Sequence, residues 1–182
     1  MSRLQLPELT GQELTFREEE VLTSKTDLRG VITYANDAFC HVAGFEFPEL
    51  EGQPHSLIRH PEMPRSVFNL MWETIQSGNE FFGYVCNRTK LGDHYWVLAH
   101  VVPDRDPETN EIMGFHSTRR CPTRAGIKVA KELYARLRET ERKAPKAQQV
   151  EVGTKALNAI LTEANMTYEE WIFSKINELE VA

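Results

Sequence analysis

The stretch TDLRGVITYANDAF, residues 26–39, carries the most specific local signals in this sequence. Residues 27–30 have the composition of a tight turn, and the β-branched run from Val31 to Tyr34 favours a strand directly after it. Asn36 then stands where a short helix would begin, because its side chain can accept hydrogen bonds from N–H groups of a first helical turn. Gly44 suits the end of that helix. The stretch therefore predicts a turn, a strand and a short helix in direct succession.

The residues before this stretch predict one more strand. Residues 21–25 favour a strand that leads into the turn. Residues 1–19 are a weakly specified lead-in, in which we expect a short helix at Gly11–Glu19.

The residues after it predict one long helix and then a run of strands. A helical turn is expected at Glu46–Leu50, and an irregular proline-rich loop at 54–64. Apolar residues at helical spacing predict a helix at Arg65–Gln76. Three strands follow, the middle one ending at Pro103: Phe81–Thr89, His94–Val102 and Ile112–Arg120. Because β-α-β alternation is not sustained, we predict an α+β fold, an antiparallel sheet with helices on one side.

The end of the chain predicts three helices. The first ends before Pro145, and the last two form a hairpin around residues 164–166. Thr167 and Glu170 form a capping-box pattern at the start of the third helix. Its one Lys and four Glu have the wrong charge for phosphate contacts, which disfavours a DNA-reading helix-turn-helix.

Turn residues divide the chain. Seven of its ten glycines and all six histidines lie between Glu20 and Pro122. We therefore predict a lead-in at 1–19, a central domain at 20–122 and a helical extension at 123–182.

Composition narrows the class of protein. The chain has 182 residues and a net charge of -6, which argues against a general nucleic-acid binder. It has no apolar run of about 18 residues and no secretory signal, so we expect no membrane span and a cytoplasmic location. Cys40, Cys86 and Cys121 are odd in number and widely spaced, which favours reduced thiols.

The loop at 54–64 carries the first candidate ligand-binding groups. Arg59 offers a planar fork that suits phosphate, and His60 can add a second donor. The alternative is a surface loop that prolines hold rigid, with incidental charges.

Two further candidates lie on regular elements. Trp72 lies on the apolar face of the long helix, where an indole can be a core residue or a flat wall for a planar ligand. Asn87 shares a strand face with Val85 and Gly83. Its amide could pair with the pyrimidine edge of a flavin, or it could satisfy backbone groups at the hairpin.

Motifs for other chemistry are absent. The sequence has no HExxH, GxSxG, GxGxxG or GxxxxGK pattern. We therefore expect no metal site and no enzymatic activity, and any phosphate would be held by side chains.

Four motifs in order make the sequence resemble a known family: residues 26–39, 51–55, 59–64 and 87–97. Together they resemble the PAS sensor domain of bacterial aerotaxis receptors, the Aer type, over about residues 20–123. The resemblance implies a five-stranded antiparallel sheet with helices over one face, and non-covalently bound FAD that reports redox state or oxygen. It implies FAD-binding roles for five residues, namely Asn36, Arg59, His60, Trp72 and Asn87.

The chain departs from the family at two points. Glu62 stands where the family usually has Asp. After Thr123 the membrane receptors continue into a transmembrane anchor and a signalling coiled coil, whereas this chain continues into helices with polar faces. We therefore expect the sensor module without the aerotaxis role.

Related PAS domains supply the alternatives. The light-sensing LOV type needs a cysteine in the loop at 54–64, which has none, and haem-binding members usually take a His from the helix at 65–76, which has none. The predicted function is an FAD-binding PAS sensor that forms a homodimer and signals through its flanking helices to a protein partner. A cofactor-free PAS interaction module and a haem-binding sensor, with His60 nearby, are the alternatives.

Overall fold

The fold is an antiparallel sheet with helices on both sides, seen in a computed structural model that describes residues 6–181, with side chains to residue 178. The sheet domain contains eight elements: β1 Leu22–Asp27, β2 Ile32–Ala35, α1 Asp37–Ala43, α2 Phe47–Leu50, α3 Arg65–Gln76, β3 Phe81–Arg88, β4 His94–Arg105 and β5 Ile112–Arg120. Three helices follow: α4 Arg124–Arg142, α5 Gln149–Ala164 and α6 Tyr168–Val181. One-turn 3₁₀ helices lie at His55–Ile58 and Lys146–Gln148.

The five strands are all antiparallel and lie in the order β2-β1-β5-β4-β3. The predicted turn starts this arrangement. The Asp27 carboxylate accepts hydrogen bonds from the N–H groups of Arg29 and Val31, and Gly30 adopts a φ of 77°. These local bonds reverse the chain between β1 and β2. The predicted α+β class and the five-stranded sheet are confirmed.

Asn36 joins α1 to the sheet. Its side-chain oxygen accepts from the N–H groups of Phe39 and Thr23, at 3.0 and 2.9 Å. Its amide nitrogen donates to the Val21 carbonyl oxygen at 2.8 Å. The residue is thus the predicted helix cap and also a clamp between α1 and β1.

The helix α3 lies over the inner face of the sheet and leaves a cavity beneath it. Strand alternation turns every second side chain towards this face, including Val85 and Asn87 of β3 and Phe115 and Arg119 of β5. The opposite parity, which includes Trp96 of β4, faces the other side of the sheet.

The C-terminal helices cover that other side and the exposed edge of β3. The Trp96 and Tyr134 rings stack with centroids 6.2 Å apart, which fixes α4 on the outer face. The Tyr134 hydroxyl donates to the carbonyl oxygen of Tyr84, and the Glu169 carboxylate accepts from the N–H of Phe82. An edge strand otherwise presents unpaired groups to other chains, so these bonds close the sheet.

The predicted junction between the last two helices, at residues 164–167, agrees with the structure. Asn165 adopts a left-handed φ of 52° and ends α5, and Thr167 and Glu170 exchange the two bonds of a capping box. The two helices pack mainly on earlier elements, α5 between α3 and α4, and α6 on α4. Within the described residues, no helix is both long and apolar enough to cross a bilayer.

Two predictions about secondary structure were wrong. Residues 11–19 form no helix: the segment is extended, and its Leu14 N–H donates to the His94 carbonyl oxygen at 2.7 Å. It fills the space beside the start of β4 that β5 is too short to reach, because β5 ends at Arg120 opposite Leu98. The strand β4 also continues through Pro103 to Arg105. Proline has no N–H to donate to a neighbouring strand. Pro103 is tolerated because β3 begins opposite Val101, so Pro103 has no strand beside it on the β3 side.

Candidate ligand-binding site

The cavity between α3 and the inner face of the sheet has a volume of about 330 Å³ and is termed the central cavity. That volume is at the lower end of the range for small-molecule sites. Its lining comes from every strand except β2, from the turn after β1, from the proline-rich loop and from α3: Ser24, Thr26, Arg29, Gly30, Pro54, His55, Ser56, Arg59, Phe68, Met71, Trp72, Ile75, Val85, Asn87, Ala99, Val101, Phe115, Ser117 and Arg119.

Trp72 forms one flat wall of the central cavity. Its ring meets that of Phe115 edge-on, with centroids 5.4 Å apart. Gly30 has a φ of 77° and a Cβ there would lie 3.0 Å from the indole, so a side chain at this position would strain the β1–β2 turn and crowd Trp72. Trp72 therefore lines the central cavity.

Asn87 presents its amide to the central cavity from β3. The residue is 2 % exposed, and its Nδ2 makes no hydrogen bond of ordinary length within the described chain, where the buried Tyr95 hydroxyl is its polar neighbour. Buried amides are nearly always paired, so an unpaired one that lines a cavity indicates a polar ligand or water there.

Arg59 reaches the same space because its loop pairs with the edge of β3. The backbones of Arg59 and Asn87 form an isolated antiparallel β-bridge. The N–H of His60 donates to the Cys86 carbonyl oxygen at 3.2 Å. The Arg59 guanidinium lies 3.6 Å from the centroid of the Phe68 ring, and its buried Nε has no protein partner among residues 6–178. Burial lowers the pKa of Arg59 from its ordinary value.

A second guanidinium lies deeper in the cavity. Arg119 is 5 % exposed and donates to Ser24 Oγ at 3.0 Å and to His55 Nε2 at 2.8 Å. Because a guanidinium can only donate, His55 Nε2 accepts and the ring is neutral. Burial, and then the charges of Arg119 and Arg59, lower the pKa of His55 to about 3. Burial also lowers the pKa of Arg119, to about 10.

The central cavity therefore combines positive charge with unpaired polar atoms. Its described lining includes three arginines and no carboxylate. Ser117 Oγ joins Arg59 Nε and Asn87 Nδ2 as buried atoms with no partner in the described structure. Such a lining suits a planar ligand with hydrogen-bonding edges and negative charge.

The other two predicted site residues lie elsewhere. Asn36 uses its side chain for the three bonds of the α1 cap and does not line the cavity. His60 points away from Asn87, because neighbouring residues of an extended segment face opposite sides. It lines a second cavity on the outer side of the sheet, termed the α4 cleft, together with Trp96 and Arg138. Burial lowers the pKa of His60.

Sequence reasoning missed the polar group formed by Ser24, His55 and Arg119. His55 lies inside a motif that carries the resemblance, but its partner Arg119 is remote in sequence. Strand alternation offered one signal, since Phe115, Ser117 and Arg119 share a face of β5. Nothing in the sequence indicated that this face lines a cavity.

The helix α4 contacts both the proline-rich loop at 54–64 and α3. Glu62 forms ion pairs with Arg138 at 3.2 Å and with Arg142 at 2.7 Å. Glu141, which is 2 % exposed, accepts from the N–H groups of Arg65 and Ser66 at 3.0 and 2.9 Å. A carboxylate at this position is the cap that α3 lacks in its own sequence, where Pro64 precedes the helix. The elements that form the cavity are therefore tied to the helical extension.

Metal-ligating side chains do not gather anywhere in the described part of the chain: no group of three or more His, Cys, Asp or Glu is placed to hold an ion. The three cysteines are free, and burial raises the pKa of Cys86 to about 12.

Comparison with known proteins identifies the fold family. Residues 32–117 match the family described as PAS fold. The chain contains a PAS domain. It is 42% identical over 131 residues to the aerotaxis receptor of Escherichia coli (strain K12). The aligned residues make up 72% of this chain and 26% of that protein. It is 32% identical over 91 residues to the nitrogen fixation regulatory protein of Klebsiella pneumoniae, 50% of this chain and 18% of that protein. This chain thus spans about a quarter or less of the length of these relatives.

Two solved structures are similar to part of this chain. The light-state dimer of the fungal blue-light photoreceptor Vivid has a TM-score of 0.49 and 22% identity, over 58% of this chain and 80% of that one. A PAS domain from Colwellia psychrerythraea has a TM-score of 0.48 and 22% identity, over 57% and 86% of the two chains.

Proposed function

We propose that this chain is an FAD-binding PAS sensor of redox state or oxygen, with residues 20–122 as the sensor unit. Residues 123–182 carry the signal to a protein partner, from a cytoplasmic homodimer. The observation that carries the proposal is the central cavity, in which unpaired polar atoms and buried guanidiniums adjoin a flat indole wall without a carboxylate. The similarity to the aerotaxis receptor supports the same conclusion.

The lining residues suit the parts of a flavin dinucleotide. The Asn87 amide has the donor and the acceptor that a pyrimidine edge requires, and Trp72 offers a flat surface to a ring system. Arg59 and Arg119 can counter negative charge, including that of a pyrophosphate. The cavity of about 330 Å³ suits the ring system, and Arg29, an exposed lining residue that pairs with Asp27, could counter the charge of a phosphate. Asn36 would hold the cavity wall in place from outside the cavity. His60 would do the same for the proline-rich loop at 54–64.

A bound flavin supplies a ring whose charge and protonation depend on its oxidation state. The buried guanidiniums favour the more negative state, and Asn87 can exchange its donor and acceptor by rotating its amide. A change in either group alters the packing of α3 or of the loop at 59–63. Both contact α4, through Glu141 and Glu62. Redox state can shift the docking of α4 only by stabilising its two arrangements unequally.

The first test is the visible absorption spectrum of the purified protein before and after dithionite. Flavin bands that bleach on reduction are expected. A Soret band would favour the haem alternative, with His60 as the first ligand to test. A preparation that stays colourless after addition of FAD would overturn the proposal in favour of a cofactor-free interaction module.

The site assignment is tested by flavin content. Asn87→Leu and Trp72→Ala should each reduce the flavin that copurifies by about tenfold or more, because each removes a direct contact. Asn69→Leu is the matched control, since Asn69 lies on α3 and bonds Glu73 at the surface. Normal flavin content in both cavity variants would disprove this assignment even if the protein is yellow.

A further inference from the structure

The α4 cleft is a second cavity that the proposed flavin site does not use. It has a volume of about 300 Å³ and lies where α4 crosses the outer face of β3 and β4. Its sheet wall carries Cys86 and Trp96, which face away from the central cavity. The two spaces therefore lie on opposite sides of the sheet and cannot be filled by one ring system.

The α4 cleft has an excess of positive charge. Lys131, Arg138 and Arg142 line it, and in the described structure Glu62 is the one lining carboxylate. Glu62 pairs with both arginines, so the lining keeps two uncompensated positive charges. This concentration occurs in a chain whose net charge is -6. A low-dielectric wall beside such charges favours an anion.

A nearby carboxylate does not remove this excess. Glu13 lies 3.5 Å from Lys131, but it also pairs with Arg124. Counting Glu13 and Arg124 adds one negative and one positive charge, so the balance stays the same.

Two buried donors beside the cleft have no acceptor within residues 6–178. Trp96 is 8 % exposed, and its indole Nε1 has no hydrogen-bond partner. Arg138 donates from Nη2 to Glu62, but its buried Nε is unpaired. Native proteins rarely leave buried donors without partners, so these two atoms indicate acceptor atoms, of a ligand or of water, beside the cleft.

The remaining wall is apolar. Met63 and Cys86 are buried, and Ala135 adds a methyl group from α4. The stacked Trp96 and Tyr134 rings provide an aromatic surface. A bare inorganic ion would leave this surface unused, whereas an organic anion would cover it.

We propose that the α4 cleft binds a small organic anion, a carboxylate on an aromatic or apolar body. The carboxylate accepts from Arg138 and from the Trp96 indole N–H, with Lys131 nearby, and the body lies against Met63 and Tyr134. Such a ligand would sit between the sheet and α4 and would strengthen the docking of that helix. The proposal does not depend on flavin binding.

Benzoate is the probe, and the Trp96 indole N–H is the reporter. In a two-dimensional ¹H–¹⁵N spectrum of the full chain, the indole peaks belong to Trp72, Trp96 and Trp171, and Trp96→Phe assigns its own peak. Sodium benzoate should shift the Trp96 peak saturably below about 10 mM, at constant ionic strength. Benzyl alcohol, which has the ring without the charge, should not.

Variants separate binding in the cleft from general charge effects. Arg138→Gln should weaken benzoate binding by about tenfold, and Lys131→Gln, at a more exposed site, by a smaller factor. Arg136→Gln, on the exposed side of the same helix, should bind benzoate normally. If Arg138→Gln proves unstable, Lys131→Gln alone still carries the comparison. The proposal is overturned by an unmoved Trp96 peak, by an equal shift with benzyl alcohol, or by equal affinity in the Lys131, Arg138 and Arg136 variants.

Discussion

Arg119 is the residue whose environment says most about the ligand of the central cavity. Its guanidinium is 5 % exposed, yet its bonds go to the neutral groups Ser24 and His55. A buried cation without a counter-ion is costly, and a ligand that brings negative charge offsets that cost. Binding of such a ligand to the folded protein then raises its stability.

Replacement of Arg119 tests this role. Arg119→Met should weaken FAD retention by about tenfold or more, since a charge-assisted contact is lost. It should change the unfolding midpoint of the flavin-free protein little, because a buried unpaired charge is removed together with its bonds. Equilibrium dialysis and thermal unfolding measure the two quantities. Arg120→Met is the control, as Arg120 is exposed on the opposite face of β5. Equal FAD retention in both variants would contradict the role.

His55 makes stability depend on pH. Its folded pKa of about 3 lies below the ordinary value of 6.5, so between these values the unfolded chain binds more protons. The free energy of unfolding should therefore fall as pH decreases below 6.5, by up to about 1.4 kcal/mol per pH unit from this residue.

The measurement is urea unfolding between pH 7 and pH 5, roughly the range above carboxylate titration. His55→Gln should have a shallower dependence than the unchanged protein. His60 and His116 also have lowered pKa values and contribute in the same direction, so the difference between the two proteins is the informative quantity. Parallel curves would exclude a neutral His55 with a strongly lowered pKa in the folded protein.

At the scale of elements, the start of α3 depends on a residue of α4. The Glu141 carboxylate accepts from the Arg65 N–H with one oxygen and from the Ser66 N–H and hydroxyl with the other. A Cβ at Gly153 of α5 would lie only 2.6 Å from Oε1 of Glu141. Three helices, α3, α4 and α5, therefore meet at this cap. The helix that carries Trp72 is thereby fixed to the extension.

Glu141→Gln should lower the free energy of unfolding by about 1–3 kcal/mol. The amide keeps one acceptor oxygen, but its NH₂ group would face a backbone N–H and leave it unsatisfied. Glu139→Gln is the control on the same helix, where an exposed pair with Lys143 is lost and stability should be unchanged. Chemical denaturation measures both variants, and equal stabilities would show that the cap contributes nothing.

At the scale of the whole molecule, the extension protects the sheet. Tyr134 and Glu169 bond the outer edge of β3, and the Tyr168 ring stacks on Phe81 with centroids 5.7 Å apart. Without these helices the edge groups and Trp96 would face solvent. Exposed edge strands promote association between chains.

Removal of residues 123–182 tests that role. The shortened chain should unfold at a midpoint lower by about 10 °C or more and should associate at concentrations where the full chain does not. Thermal unfolding and light scattering after size exclusion provide the measurements. If the shortened chain has the same unfolding midpoint and the same molar mass in solution as expected for an unassociated chain, the extension does not stabilise the PAS domain.

Features that depend on interactions between residues close in sequence were predictable from the sequence. The turn at 27–30, the Asn36 cap, the bounds of α3 and β5 and the capping box at Thr167 all depend on hydrogen bonds or spacing within a few residues. The resemblance also led to Arg59, Trp72 and Asn87, which do line the central cavity.

Features that bring residues distant in sequence into contact became evident from the folded structure alone. Arg119 finds His55 across 64 positions of sequence, and Glu141 finds Ser66 across 75. The extended lead-in depends on where β5 ends, and the outward direction of His60 depends on the pairing of its loop with β3. Local propensity cannot encode these outcomes, because the competing partners are chosen by packing of the whole chain.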